Sequence, residues 1–152
     1  MTIKDYLERK LRKRGRFSAY SPTNIPLEIT TEDYILRDGK SNRSYCYNAP
    51  KGDAKRAVLR YSVLGASERY TLVEVELLTG RHHQIRAQLS KIGCSIKGDL
   101  KYGAKRSNPD GGISLHSRRV EFQHPVGGKP IVITAPVPKE DNLWKFFEEA
   151  QG

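Results

Sequence analysis

The chain has 152 residues, with 27 Lys and Arg against 17 Asp and Glu, a formal charge of +10. That length suits one compact domain, and that charge favours polyanionic partners over acidic proteins or neutral ligands. No apolar run approaches the length of a membrane-spanning helix, and the acidic residues Asp5 and Glu8 near the start argue against a secretory leader, so the expected compartment is the cytoplasm.

Residues 2–14 read as a short basic helix, with Ile3, Leu7 and Leu11 forming a narrow apolar stripe. Arg9, Lys10, Arg12, Lys13, Arg14 and Arg16 crowd behind it, either as an RNA-facing patch or as a solvated terminus. Gly15 stops that helix, and Ser21–Pro26 is a loop. From Asp33 the pattern turns to strands. Tyr34–Leu36 and Ser44–Tyr47 flank the turn signal Asp38-Gly39. Between Ala54 and Leu64 the alternation puts Ala57, Leu59, Tyr61 and Val63 on one face. A turn at Gly65-Ala66-Ser67 leads into a second strand over Glu68–Leu78.

A helix is then predicted from Arg81 to Ile92, stopped by Gly93. On a wheel of about 100° per residue, Ile85, Leu89 and Ile92 form its buried stripe. His82 and Arg86 fall on the border of that stripe, while Ala87 and Lys91 face away. A half-sheltered guanidinium at position 86 requires a partner, which is either a plain helix-anchoring carboxylate or a group in a cleft. The block Thr79-Gly80-Arg81-His82-His83-Gln84-Ile85-Arg86 therefore follows a strand and opens a helix, a place where free N–H groups and the helix dipole suit an anion. Adjacent His82 and His83 diverge too far to share one metal ion, and no zinc, P-loop or serine-hydrolase motif is present. Gly98-Asp99-Leu100-Lys101-Tyr102-Gly103 is either an ordered turn positioning Lys101 and Tyr102 or a plain connector. Two more strands follow, over Ile113–Phe122 and Pro130–Ala135. The first puts His116 and Arg118 on one face, which suits either a nucleic-acid backbone or a solvated edge. Asp141 or Asn142 caps a last helix through Leu143, Trp144, Phe146 and Phe147. Cys46 and Cys94 lie in no paired motif and read as free, buried thiols. The fold class is α+β, with a mixed, mainly antiparallel sheet and few flanking helices.

Three blocks, TGRHHQIR (79–86), QLSKIGCSIKGDLKYG (88–103) and ISLHSRRVEFQHP (113–125), resemble the C-terminal half of the RluA-type RNA pseudouridine synthases in order and spacing. The resemblance runs from about residue 33 to 147. It divides the chain into a basic N-terminal segment, 1–30, and a part of the catalytic domain, 31–152. It implies isomerisation of uridine to pseudouridine in ribosomal or transfer RNA, without cofactor or metal. It also implies an aspartate nucleophile in a His-Arg-Leu-Asp motif and an arginine, here Arg86, that pairs with it. Arg81, His82 and Gln84 would build the pocket wall. From the residues themselves, Lys97, Lys101, Tyr102, His116 and Arg118 are further candidates for contact with RNA. No His-Arg-Leu-Asp occurs in this sequence, and the family's aromatic Lys-x-Tyr-x-Ala block is matched poorly by Arg14–Tyr20. The resemblance thus implies a C-terminal part of the catalytic domain, inactive alone for want of the nucleophile. The alternative is a non-catalytic RNA-binding module in which Arg86 is an unmatched cation. A third reading is self-association through an exposed sheet edge.

Overall fold

The computed structural model describes residues 28–67, 69–139 and 141–151. The predicted N-terminal helix, the basic cluster, the loop at 21–26 and the aromatic candidates Phe17 and Tyr20 lie outside the described residues. The chain divides into two compact units, one ending at Ile113 and one running from Ser114.

The first unit is built on a sheet of β1 (Glu28–Asp38), β2 (Arg43–Tyr47), β3 (Lys55–Ala66) and β4 (Thr71–Leu77) in the order β2-β1-β3-β4. Every pairing is antiparallel. Strand β1 begins five residues before the predicted start at Asp33. Its opening run Glu28-Ile29-Thr30-Thr31-Glu32 is too polar to read as a strand, yet it pairs with β3 from Glu28↔Ser62 onward. Ile29, Asp33 and Ile35 point inward at period two. The central β3 carries the core: Ala57, Leu59 and Tyr61 are buried on one face, as the alternation predicts. Val63, Val73, Val75, Ile85, Ile92 and Cys94 pack against Ile29, Leu59 and Tyr61.

Gly65 and Ala66 belong to β3 and not to the turn, because a bulge between Val63 and Gly65 lets the ladder continue. The turn itself is closed by Ser67, whose N–H donates to Tyr70 O at 2.7 Å.

Helix α1 spans Gln84–Lys91, three residues shorter at its start than predicted. His83 sits at its N-cap in the left-handed region, φ +53, so Arg81 and His82 precede the first turn. Gly93, at φ +82, ends the helix as expected, and the Cys94 N–H closes back onto Leu89 O. A 3-10 turn, Leu100–Tyr102, follows.

The second unit contains the antiparallel hairpin of β5 (Arg119–Gln123) and β6 (Pro130–Thr134) and helix α2 (Asn142–Gln151). Asp141 caps α2, its carboxylate accepting from the Leu143 N–H at 2.9 Å. The strand predicted from Ile113 starts only at Arg119, so His116 and Arg118 lie on the irregular chain before it. The fold is α+β, and among the described residues its sheets are antiparallel throughout. No described helix is long and apolar enough to cross a membrane.

Candidate active site

Helix α1 lays a polar face on the sheet. Gln84 and Gln88, one turn apart, are buried together with Ala87 and Leu89. Gln84 Oε1 accepts from Thr79 Oγ1 at 2.8 Å and from the Arg81 N–H at 2.9 Å, while its amide donates to Val58 O. This side chain is a clamp between the helix start and β3, not a surface open to a ligand. Gln88 donates to Ala57 O and to Asp33 Oδ2. Lys91, expected to face away, pairs with the buried Asp33 and reaches Asn48. Ile85, Leu89 and Ile92 face the core as the wheel predicts, but the buried face is wider than that stripe because strand carbonyls and Asp33 offer the helix's amides and ammonium better partners than water does.

The border position of Arg86 puts it over the 3-10 turn. Its Nε donates to Asp99 Oδ2 at 2.9 Å and its Nη2 to Asp99 Oδ1 at 2.8 Å, a bidentate ion pair. Asp99 is 1% exposed, whereas the Arg86 side chain keeps 20% of its surface. Gly98 and Tyr102 frame the carboxylate. Gly98 takes φ +85, and a Cβ there would lie 2.6 Å from the Asn108 side chain, so the loop accepts only glycine. Arg86 is therefore not an unmatched cation: its carboxylate partner is carried by this chain, in the loop that the sequence left open as a plain connector. The signal was available in Gly-Asp-x-x-Tyr-Gly, but nothing in spacing alone joins Asp99 to Arg86.

The third nitrogen of Arg86, Nη1, lies 3.2 Å from His83 Nε2. A guanidinium only donates, so Nε2 accepts and the ring proton resides on Nδ1. Nδ1 in turn donates to Tyr102 Oη at 2.8 Å, and the same oxygen accepts the Ser44 N–H at 2.8 Å. Tyr102 is buried, with the Arg86 guanidinium 4.9 Å from its ring centroid. Its face is covered, which corrects its assignment as an RNA contact: the ring organises the site from beneath. Of the five N–H groups of Arg86, three are thus engaged, leaving one on each Nη without a hydrogen bond among the described residues.

His82 stacks on His83 with ring centroids 3.7 Å apart. Its Nε2 donates to Asn42 Oδ1 at 3.2 Å and its Nδ1 accepts from Ser44 Oγ at 2.8 Å. All four imidazole nitrogens are therefore occupied by protein groups. Burial, followed by the cations Arg37, Arg86 and Lys101, holds His82 below its ordinary pKa. Burial, then Arg86, His82 and Lys101, does the same to His83, against a smaller opposing pull from Asp99. Both rings are built to stay neutral.

Lys101 Nζ donates to Ser41 O at 3.2 Å and Asn42 O at 3.0 Å, tying the β1–β2 turn to the 3-10 turn. Lys97 donates to Asn108 Oδ1 at 2.7 Å, and Arg81 Nε to Arg56 O at 2.9 Å. The two remaining candidates belong to the second unit. There His116 meets the Trp144 ring edgewise at 6.0 Å, and Arg118 donates to Ala135 O, closing the end of the hairpin. The first unit thus brings Arg81, His82, Gln84, Arg86, Lys101 and Tyr102 around one helix start. The residues that the sequence did not single out there are Asp99, Ser44, Asn42 and Arg43.

Residues 3–91 match the protein family described as RNA pseudouridylate synthase. The chain belongs to that family. The match begins far upstream of residue 33, where the resemblance of the motifs starts, and it ends at the last residue of α1. Relatives agree. The chain is 37% identical over 111 residues to the uncharacterized RNA pseudouridine synthase YlyB of Bacillus subtilis, covering 73% of this chain and 36% of that protein. It is 32% identical over 144 residues to YhcT of the same organism, covering 93% and 46%. It is 32% identical over 119 residues to ribosomal large subunit pseudouridine synthase D of Zymomonas mobilis, covering 73% and 38%. The chain spans less than half the length of each of these relatives.

Proposed function

We propose that this chain supplies the arginine-bearing wall of an RNA pseudouridine synthase site, acting on uridine in ribosomal RNA. The observation that carries the reading is Arg86, fixed along one edge by Asp99 and His83 while two of its N–H groups remain to be used. A guanidinium so held meets a second carboxylate without reorganising. It keeps that carboxylate ionised, which is what a nucleophilic aspartate attacking a flipped nucleotide needs. In the course the family resemblance implies, the N-glycosidic bond breaks and uracil is rejoined through carbon. Ribosomal rather than transfer RNA is favoured by relatives named as ribosomal large subunit synthases. The basic charge of +10 supports RNA as the partner, and the cytoplasm is the compartment this reading calls for.

No His-Arg-Leu-Asp occurs among the 152 residues, so on this reading the nucleophile for the covalent step comes from outside them. The chain by itself should release no tritium from RNA labelled at uridine C5, while still binding that RNA with an affinity that falls as salt rises. Turnover by the chain alone would refute the assignment of Arg86 to a missing partner. RNA binding without any recovery of turnover, when a polypeptide carrying the His-Arg-Leu-Asp segment of a relative is added, would favour the non-catalytic RNA-binding module.

A further inference from the structure

Most described arginines of the first unit have a polar partner. Arg56 pairs with Glu32, Arg60 with Glu76 and Arg86 with Asp99. Arg37 donates to Asn42 Oδ1, and Arg81 to Arg56 O. Arg43, the first residue of β2, is different. Its guanidinium carbon lies 5.0 Å from the Tyr102 ring centroid and 5.4 Å from that of Tyr45. Its Nε is buried and has no hydrogen-bond partner among the described residues. Asp38, opposite Arg43 in the β1–β2 ladder, uses its carboxylate on the Lys40 N–H and Ser41 Oγ instead. Arg43 is thus a cation ordered by aromatic faces and not by an anion.

The support is rigid. Tyr102 is buried, and its hydroxyl is fixed by Ser44 and His83. Arg86 and Arg43 both lie against that one ring, and Lys101 and Arg37 are tied to the adjoining turn through Asn42. The buried carboxylate beside Tyr102, Asp99, is taken by Arg86. Around that ring the cations Arg37, Arg43, Arg86 and Lys101 outnumber the carboxylates Asp38 and Asp99, and the guanidinium is held in advance, which lowers the entropy lost when an oxyanion arrives.

We propose that Arg43 is a phosphate-contact residue, its Nη groups taking a phosphodiester oxygen of the RNA backbone beside the Arg86 site. This rests on the RNA reading above. A phosphate fits better than a protein carboxylate, because the cations around Arg43 would add to the attraction of a polyanion running past them.

The test is a salt series of anisotropy titrations on the full chain, with a labelled single-stranded oligoribonucleotide as probe. R43A, and R43M to preserve packing on Tyr102, should each lower affinity several-fold at low salt. Each should also reduce the slope of log K against log salt by about 0.7. R43K should restore the slope. R56A, which removes a cation already matched by Glu32, should leave the slope near that of the parent. Parent-like slopes and affinities for both R43A and R43M would overturn the Arg43 proposal alone. Failure of the parent chain to bind RNA would overturn the RNA reading as well. Tighter binding of poly-glutamate than of RNA, lost in R43M, would assign Arg43 to a protein carboxylate and overturn the phosphate.

Discussion

At the scale of single residues, the Arg86–Asp99 pair dominates the site. Asp99 is 1% exposed, and an unpaired charge buried so deeply is costly. Arg86→Met should therefore destabilise the first unit by roughly 3–5 kcal/mol, the range for stranding one member of a buried pair. Asp99→Asn should cost less, because Arg86 is partly exposed and water can serve it. The double variant should recover part of the sum, a coupling of more than about 1 kcal/mol in a denaturation cycle. Additive losses would show that the two side chains do not depend on each other. The stacked histidines give a second prediction. His82 and His83 both have pKa values lowered from an ordinary value of 6.5, so the unfolded chain binds protons that the folded chain resists. The stability they contribute is complete above pH 6.5 and is lost as pH falls through that value toward the lower folded pKa. Melting temperature should drop between pH 7 and pH 5, and H82N/H83N should flatten that limb. An unchanged slope in the double variant would mean that other groups carry the acid sensitivity. The thiols complete this scale. Burial, with a further push from Asp33, raises Cys46 to about 12, and burial raises Cys94. Both are free, and both are poor nucleophiles at neutral pH.

At the scale of elements, the strands and the apolar stripe of α1, Ile85, Leu89 and Ile92, were legible, but the polar part of its buried face was not. Period-two alternation identified β3 through Ala57, Leu59 and Tyr61, because a sheet face over a core must be apolar. Gly93 identified the end of α1, since only a left-handed residue closes that turn. The wheel misplaced Ala87 and Lys91, and overlooked Gln84 and Gln88, because it assigns burial by hydropathy. Here the helix approaches strand carbonyls and the buried Asp33, and its inner face is amide-rich for that reason. No single-element pattern records that the receiving surface is polar. In the site, Arg86 and its need for a carboxylate were readable, but Asp99 and Ser44 were not. Their roles depend on a loop and a strand brought over 13 and 38 residues of sequence. This account of α1 is testable at Gln88, which is fully buried. Gln88→Leu leaves Ala57 O without its donor and deprives Asp33 of one, against the relief of a Gln88 Oε1 that has no partner. The net loss should be modest, about 1 kcal/mol. Gln88→Glu sets a second carboxylate against Asp33 in the same dry space and should cost more, roughly 3 kcal/mol at pH 7. If the leucine variant matched or exceeded the parent in urea denaturation, hydropathy rather than the polar contact would govern this face.

At the scale of the whole molecule, the two units differ in how much they bury. The first has Ile29, Leu59 and Tyr61 sealed between the sheet and α1, with the core strand β3 paired on both sides. The second rests on a two-stranded hairpin whose residues are largely exposed, including Val120, Phe122, Val132 and Ile133, and on α2, where Phe147 is buried. A two-stranded ribbon gains little from burial and is marginal in water without further packing. The second unit should therefore open at lower denaturant than the first. The chain offers a clean reporter, because its sole tryptophan, Trp144, belongs to α2. In urea, Trp144 fluorescence should complete its transition before the far-ultraviolet dichroism, to which β1–β4 and α1 contribute most. Amide exchange should follow the same order, with the β3 amides Leu59 and Tyr61 slowest and those of β5 and β6 fastest. Coincident transitions by the two probes would mean that the units unfold as one.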